Sequence, residues 1–475
     1  MKLLLLLLLA LVLGNGLYHV FKPLPPGVSY EGAVQPAEDV EFLADHTWLD
    51  EEGNRQTDQA IFDRVFGIIR EAEDLVVLDM FLFNDMQGPV AETHRPLSEQ
   101  LTEVLLQRME EKPELRVVFI TDPFNHLYGG VRSRHLEALE EAGARVVYTD
   151  LTRLRDPNPA WSAIWRLCCR WLGNSTRGWL PNLVGEEPVT VRTYLDMLNF
   201  KANHRKTLVA DSGDGWVGLV TSANPHDASS AHVNTGVVFR GPAALELLET
   251  EKAVMRFSGE EPRFELPEVE TEEVATPQEG ELGLQVITES RIRDAARAAI
   301  DAAGEGDRVD LAIFYFSHEE LIQAVKRAAD RGARVRVLLD PNRDAFGREK
   351  RGIPNRQTGR RLHDAGIDVR WAHTTGEQFH AKQLAVQYAG GSMELITGSS
   401  NFTRRNLDDY NLETNVRVVG SAEHPFMGEA LAWFDSRWHN RPGKQVAQPF
   451  EAWEDRSRFR ALQAWIGERL GFSSY

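Results

Sequence analysis

The sequence predicts an α/β fold built as two copies of one unit, and three observations carry that reading. Short, mostly apolar runs alternate with amphipathic helical stretches, the pattern of buried parallel or mixed sheets flanked by helices. The order of these elements occurs twice. In both copies a strand ends in Asp-Pro, at Asp122-Pro123 and at Asp340-Pro341.

In the first copy a helical stretch over 60–73 leads to an apolar run at 75–83, and a strand over 115–121 ends at Asp122. A helix ending near Gly143 then feeds a strand at 144–148. In the second, a helical stretch over 291–303 leads to 309–316, the strand 333–339 ends at Asp340, and a helix ending near Gly366 feeds a strand at 367–371. The expected organisation is a first repeat over 38–258 with an insertion at about 150–200, and a second repeat over 283–445. A linker over 259–282, rich in Glu and Pro, separates them, and a helical tail spans 446–475.

Composition bounds the function. At roughly 150 residues per domain, 475 residues make two or three units with ample cores. A hydrophobic share of 42% and a charged share of 26% are ordinary for a globular chain and exclude disorder as its main state. The two cysteines, Cys168 and Cys169, are adjacent, so they cannot form a disulfide framework or the usual four-ligand zinc site. The net charge of −18 argues against sequence-independent nucleic-acid binding, so no nucleic-acid partner is expected.

Residues 3–13 are an unbroken apolar run after Met1-Lys2, and the apolar stretch extends to Phe21. The core run has the length of a secretory h-region, and the whole stretch just suffices to span a bilayer. Residues 1–22 are therefore expected to be a signal anchor or a signal peptide. The rest of the chain then lies on the exported side, held at the cell membrane if the segment is kept and secreted if it is cleaved.

The chemistry sits at matching places in the two copies. His204-Arg205-Lys206 follows the last strand of the first, and His380-Ala381-Lys382 follows that of the second. A further strand leads to Ser222-Ala223-Asn224 in one copy and Ser399-Ser400-Asn401 in the other, 18 and 19 residues after the histidines. With 14 His and 10 Lys in the chain, chance supplies only about 0.3 His-x-Lys triplets. In a strand, residues two apart share a face, so His and Lys point the same way. Apposing the copies brings together two imidazoles, two ammoniums and two amides. Such a set suits two-step phosphodiester cleavage: one imidazole attacks phosphorus, the other protonates the leaving alkoxide, and the cations and amides stabilise the non-bridging oxygens. This scheme calls for no cofactor and no metal.

The paired motifs resemble the phospholipase D superfamily, which carries two His-x-Lys-x4-Asp motifs. The string from Gly398 to Leu407, followed by Asn411-Leu412-Glu413, is similar to bacterial cardiolipin synthases. The resemblance implies two phospholipase D-like repeats, each a mixed β-sheet flanked by helices, packed as a pseudo-dimer within one monomer behind an N-terminal anchor helix. It implies catalytic roles for His204, Lys206, Asp211, His380, Lys382, Asn224, Asn401 and Glu413, with Ser222, Ser399 and Asn234 against substrate. Glu413, and in the other half Asn234, would support a histidine. The implied activity is that of a phosphodiesterase or phosphatidyltransferase acting on membrane phospholipid. The alternatives are an exported nuclease and an inactive lipid-binding homologue. One position departs: Gln387 stands where the motif has Asp, whereas Asp211 keeps it.

From Asp122 to His204 is 82 residues, and from Asp340 to His380 is 40. The first copy's insertion carries Trp161, Ile164, Trp165, Cys168, Trp171 and Leu172 at helical spacing, followed by Trp179. Such a helix either lies in a membrane interface or packs over the sheet. The Arg-rich stretch 343–361 reads as a solvated loop or a headgroup contact.

Overall fold

The computed structural model describes residues 1–213, 215–262, 264 and 280–473, so most of the expected acidic linker lies outside the described residues. The first half contains β1 (Gln35–Ala44), a small hairpin of β2 (His46–Leu49) and β3 (Arg55–Asp58), then β4 (Leu75–Met80), β5 (Arg116–Thr121), β6 (Arg145–Tyr148), β7 (Lys206–Asp211), β8 (Trp216–Thr221) and β9 (Thr235–Arg240). The second contains β10 (Leu282–Thr288), β11 (Arg308–Ile313), β12 (Arg334–Leu339), a short hairpin of β13 (Asp344–Ala345) and β14 (Arg348–Glu349), then β15 (Asp368–Ala372), β16 (Lys382–Gln387), β17 (Ser392–Gly398), β18 (Thr414–Ser421) and β19 (Ala447–Pro449).

One sheet runs through both halves in the order β6-β5-β4-β7-β8-β9-β1, then β10-β18-β17-β16-β11-β12-β15-β19. Apart from β19, the second run is the first in reverse. The repeat seen in the sequence is thus a repeat of topology, closed by antiparallel pairing of β1 with β10. In each half three strands run parallel (β4, β5, β6; β11, β12, β15), and the motif strand, β7 or β16, lies antiparallel beside the first of them, β4 or β11. Lys206 pairs with Met80 and Lys382 with Ile313, so the two lysines occupy equivalent registers.

Helices cover the sheet because their apolar residues recur every three or four positions. Helix Ile61–Glu71 buries Ile61, Phe62, Val65, Phe66, Ile68 and Ile69, and helix Glu319–Asp330 buries Leu321, Ile322, Ala324, Val325 and Ala328. Each fully buried large side chain contributes about 1.5–3 kcal/mol, so these faces fix the helices to the sheet.

The tail expected to be helical opens instead as a strand, β19, which adds to the edge of β15 before helix Arg458–Leu470. Cys168 and Cys169 are joined to each other by a disulfide that ties no distant segments together.

The insertion forms helices Pro159–Cys168 and Val191–Met197. Its tryptophans divide. Trp165 is 5% exposed and Trp161 donates its ring N–H to the Leu195 carbonyl at 2.9 Å, whereas Trp171 and Trp179 are 71% and 73% exposed. Arg166 is core as well, donating two bonds to the Asp156 carboxylate at 2.7 and 2.9 Å beside Lys201. The apolar N-terminal helix, Lys2–Phe21, is almost wholly exposed except where its last turns meet this insertion. There Asn15 donates to the Ala163 carbonyl, Lys22 donates to that of Thr152, and Asp156 N–H donates to the carbonyl of His19.

Candidate active site

The two motif segments meet across the join between halves. His204 N–H donates to the Leu412 carbonyl at 2.9 Å, and His380 N–H donates to the Val233 carbonyl at the same distance. Each histidine therefore leans on the segment that carries the other half's supporting side chain. Neither histidine lies in regular strand: β7 starts at Lys206 and β16 at Lys382. The extended geometry nevertheless persists one step upstream, because the N–H of the residue before each histidine is held by a strand-end aspartate. Asp122 accepts from Asn203 N–H and Asp340 from Phe379 N–H, both at 2.7 Å. The repeated Asp-Pro is thus a device that anchors the histidine segment in each half.

Behind each imidazole stands a polar group from the opposite half. His204 Nδ1 donates to the Glu413 carboxylate at 3.0 Å, and that carboxylate also accepts from Ser399 Oγ at 2.5 Å and from the Asn406 amide. His380 Nδ1 donates to Asn234 Oδ1 at 3.1 Å, which also accepts from Ser222 Oγ at 3.0 Å. With Nδ1 carrying the proton, Nε2 of each ring keeps its lone pair. Phe81 and Phe314 flank the two rings at 4.8 and 4.9 Å, one in each half. Lys206 and Lys382 are buried, and each donates to the carbonyl of the histidine two residues before it, at 2.6 and 2.5 Å.

A cavity of about 330 Å³ opens over this centre, lined by His204, His380, Asn224 and Asn401 within a largely aromatic wall. That volume is in the range of small-ligand sites. Asn224 Oδ1 accepts from Leu82 N–H at 3.3 Å, while Asn401 Oδ1 is buried without a partner. Burial dominates the electrostatics. It lowers His204 to about 4 despite the upward pull of Glu413, and it lowers Lys206 to about 7. Burial and the neighbouring cations hold His380 and Lys382 well below their ordinary values. Glu413 is lowered, because attraction from His204 and Lys206 and the hydrogen bonds it accepts outweigh its own burial.

Not every expected site residue reaches the cavity. Asp211 is the last residue of β7, five residues past Lys206 and so about 17 Å away along the strand. Its carboxylate instead accepts from the N–H groups of Asp74 and Leu75 at 2.7–3.0 Å, tying β7 to the start of β4. Of the residues expected against substrate, Asn234 holds His380, while Ser222 and Ser399 donate to the two supporting groups, Asn234 and Glu413. The structure also adds residues that the motifs did not mark. Phe346, at the tip of the β13–β14 hairpin, and Lys350 line the cavity, so the start of the Arg-rich stretch covers the site. Arg205, between His204 and Lys206, is fully buried and donates to Glu289 at 2.9 Å, which in turn accepts from Glu413 N–H. Only the two matched phenylalanines at equivalent strand ends were a signal available beforehand.

Residues 297–438 match the family described as cardiolipin synthase, PLD-like domain. The fold of the chain is similar over 93% of its length, and 95% of the other chain's, to phosphatidylserine synthase from Haemophilus influenzae Rd KW20, at a TM-score of 0.57 and 10% identity. A phospholipase D family member, Nuc from Salmonella typhimurium, aligns over 35% of this chain and 97% of its own, at 21% identity and a TM-score of 0.28. No curated protein matches the chain. The two-repeat phospholipase D-like fold expected from the motifs is the fold observed.

Proposed function

We propose that this chain is a member of the phospholipase D superfamily, a phospholipase D-type phosphodiesterase or phosphatidyltransferase, similar to cardiolipin synthases, that acts on membrane phospholipids through a phosphohistidine. The observation that carries the reading is the pair of buried imidazoles on one cavity, each with Nδ1 tied to the other half and Nε2 free. His204 Nε2 attacks phosphorus, forming the P–N bond as the bond to the headgroup oxygen breaks. His380, protonated as the anionic phosphodiester raises its basicity, gives its proton to that oxygen. It then takes a proton from water or an alcohol, whose oxygen attacks phosphorus and releases His204. Lys206, Lys382, Asn224 and Asn401 stabilise the charge on the non-bridging oxygens. The scheme needs no metal.

The N-terminal helix is long and apolar enough to cross a membrane, and its C-terminal end docks on the insertion through three hydrogen bonds. That docking supports a retained anchor over a cleaved signal. The exposed Trp171, Leu172 and Trp179 extend the same region as an apolar surface suited to a lipid interface.

The test is product analysis with the full chain in mixed vesicles. Labelled phosphatidylglycerol, phosphatidylethanolamine and single-stranded DNA are offered in turn, with and without EDTA. Phosphatidic acid or a transphosphatidylation product, formed equally in EDTA, is expected. Cleavage of DNA alone would turn the reading to a nuclease, and loss in EDTA restored by a divalent cation would overturn the metal-free scheme.

A further inference from the structure

We infer that His232 is a specificity residue, whose Nε2–H binds a hydroxyl of the alcohol held beside His380. The inference rests on the functional reading above and extends it to the headgroup.

The two halves place a side chain at the same point, two residues before each histidine's support. In the second half it is Asn411, two before Glu413, and its Oδ1 accepts from Ala202 N–H at 3.0 Å. In the first it is His232, two before Asn234, and its Nδ1 accepts from Gln378 N–H at 3.3 Å. Ala202 and Gln378 each stand two residues before a catalytic histidine, so the two bonds are equivalent. Asn411 therefore defines what the position needs structurally: one acceptor.

His232 meets that need and has a second nitrogen to spare. Because a backbone N–H can only donate, Nδ1 is the acceptor and the ring proton sits on Nε2. That donor is buried and has no partner, although the ring lines the cavity and is only 2% exposed. A buried donor left unpaired is costly, which points to a ligand oxygen as its occupant. The ring is 5.8 Å from that of His380 and stacks on Phe346 of the covering hairpin at 5.9 Å, so it sits beside the histidine proposed to protonate the leaving alcohol.

The neighbours set the chemistry of that alcohol. Burial and the nearby His226, Lys382 and Lys350 hold His232 well below its ordinary value, so it is a neutral donor. The carboxylate that lines this cavity, Asp122, is occupied by the N–H groups of Phe124 and Asn203. An ammonium headgroup finds cations there and no free anion, whereas a second hydroxyl finds a donor.

The test compares phosphatidylglycerol with phosphatidylpropanol, whose headgroup lacks the second hydroxyl, using wild type, His232→Asn and His232→Phe. His232→Asn reproduces the side chain that the second half already uses, so its melting temperature should stay within a few degrees. The expected result is a kcat/KM preference for the glycerol headgroup that falls about 10-fold in both variants. Equal loss on both lipids, or an unchanged ratio, overturns the inference and leaves the phospholipase D reading standing. Turnover of neither lipid by wild type overturns both.

Discussion

His204 and His380 start from equivalent backbone and end in different company. Each is tethered through its N–H to the other half, flanked by a phenylalanine and followed by a buried lysine. Behind His204 stands the carboxylate of Glu413, and behind His380 the amide of Asn234. In the proposed scheme the difference separates two jobs. An imidazole that bonds to phosphorus acquires positive charge, and a carboxylate on its far nitrogen stabilises that charge. An imidazole that only relays a proton has to gain and lose it easily, and a neutral amide fixes its tautomer without locking it protonated. The duplicated fold supplies the symmetry, and one side chain per half breaks it.

Deleting either ring is the harshest way to break this comparison. His204→Ala and His380→Ala should each lower kcat by at least about 10³-fold, because the two rings act as a unit. Intermediate trapping then sharpens it. Rapid quench with labelled phospholipid should place the phosphoryl group on a peptide containing His204. Label on His380 would reverse the roles, and near-normal rates in either variant would end the shared-site scheme.

Changing what stands behind the rings should cost less and cost unequally. Glu413→Gln keeps an acceptor for Nδ1 and removes the charge, so kcat should fall about 10²-fold. Asn234→Ala leaves the His380 ring unoriented while removing no charge, and a smaller drop of about 10-fold is expected. Equal losses in the two would mean that charge behind His204 has no special role.

The pH dependence separates activity from stability. His204 attacks when unprotonated and lies at about 4, so kcat/KM should rise through that pH; Lys206 acts when protonated and lies at about 7, so kcat/KM should fall above it. The stability contributions run the other way at high pH. Both groups are lower in the folded state than in the unfolded chain, so the unfolded chain binds more protons between about 4 and 6.5 for His204 and between about 7 and 10.5 for Lys206. Each therefore favours folding as pH rises through its window. Activity should decline above pH 7 while the Lys206 contribution to stability increases, checked by the melting temperature of wild type against Lys206→Met. A parallel fall of rate and Lys206-dependent stability would contradict the assignment.

These residues differ in how visible they were in the sequence. The His-x-Lys pairs, Asn224, Asn401 and the doubled order of strands stand out because each is a short local pattern repeated at matching intervals. Glu413 and Asn234 became legible through resemblance to a family, since nothing local ties them to a histidine some 146 or 209 residues away. His232, Phe346 and Lys350 were not legible: their roles follow from how a hairpin of one half folds over a segment of the other. The insertion was read in part. Its helix exists, but periodicity alone did not tell that Trp165 turns inward and Trp171 and Trp179 outward. That division gives a test. Trp171→Ser with Trp179→Ser should reduce action on vesicles several-fold and leave a short soluble diester unaffected, whereas Trp165→Ser should lower the melting temperature.

The smallest effects are expected where the two motifs differ most in sequence. Asp211 ends β7, far from the cavity, and ties that strand to the start of β4 through the N–H groups of Asp74 and Leu75. The second half makes the corresponding tie from the other side: Asp307, just before β11, accepts from Gly304 N–H and Ala389 N–H at 2.8 and 2.7 Å. Gln387, at the end of β16 and opposite Arg308, is thus relieved of the duty that Asp211 performs. Asp211→Asn places an amide donor against two backbone donors and should cost about 1 kcal/mol, read as a lower urea midpoint with kcat/KM unchanged within two-fold. Gln387→Asp should move stability by no more than about 0.5 kcal/mol and activity by less than two-fold, because the tie it would restore already exists. If Gln387→Asp instead raised activity by orders of magnitude, the carboxylate missing from the second motif would be catalytic after all, and the natural protein would be a lipid-binding homologue rather than an enzyme.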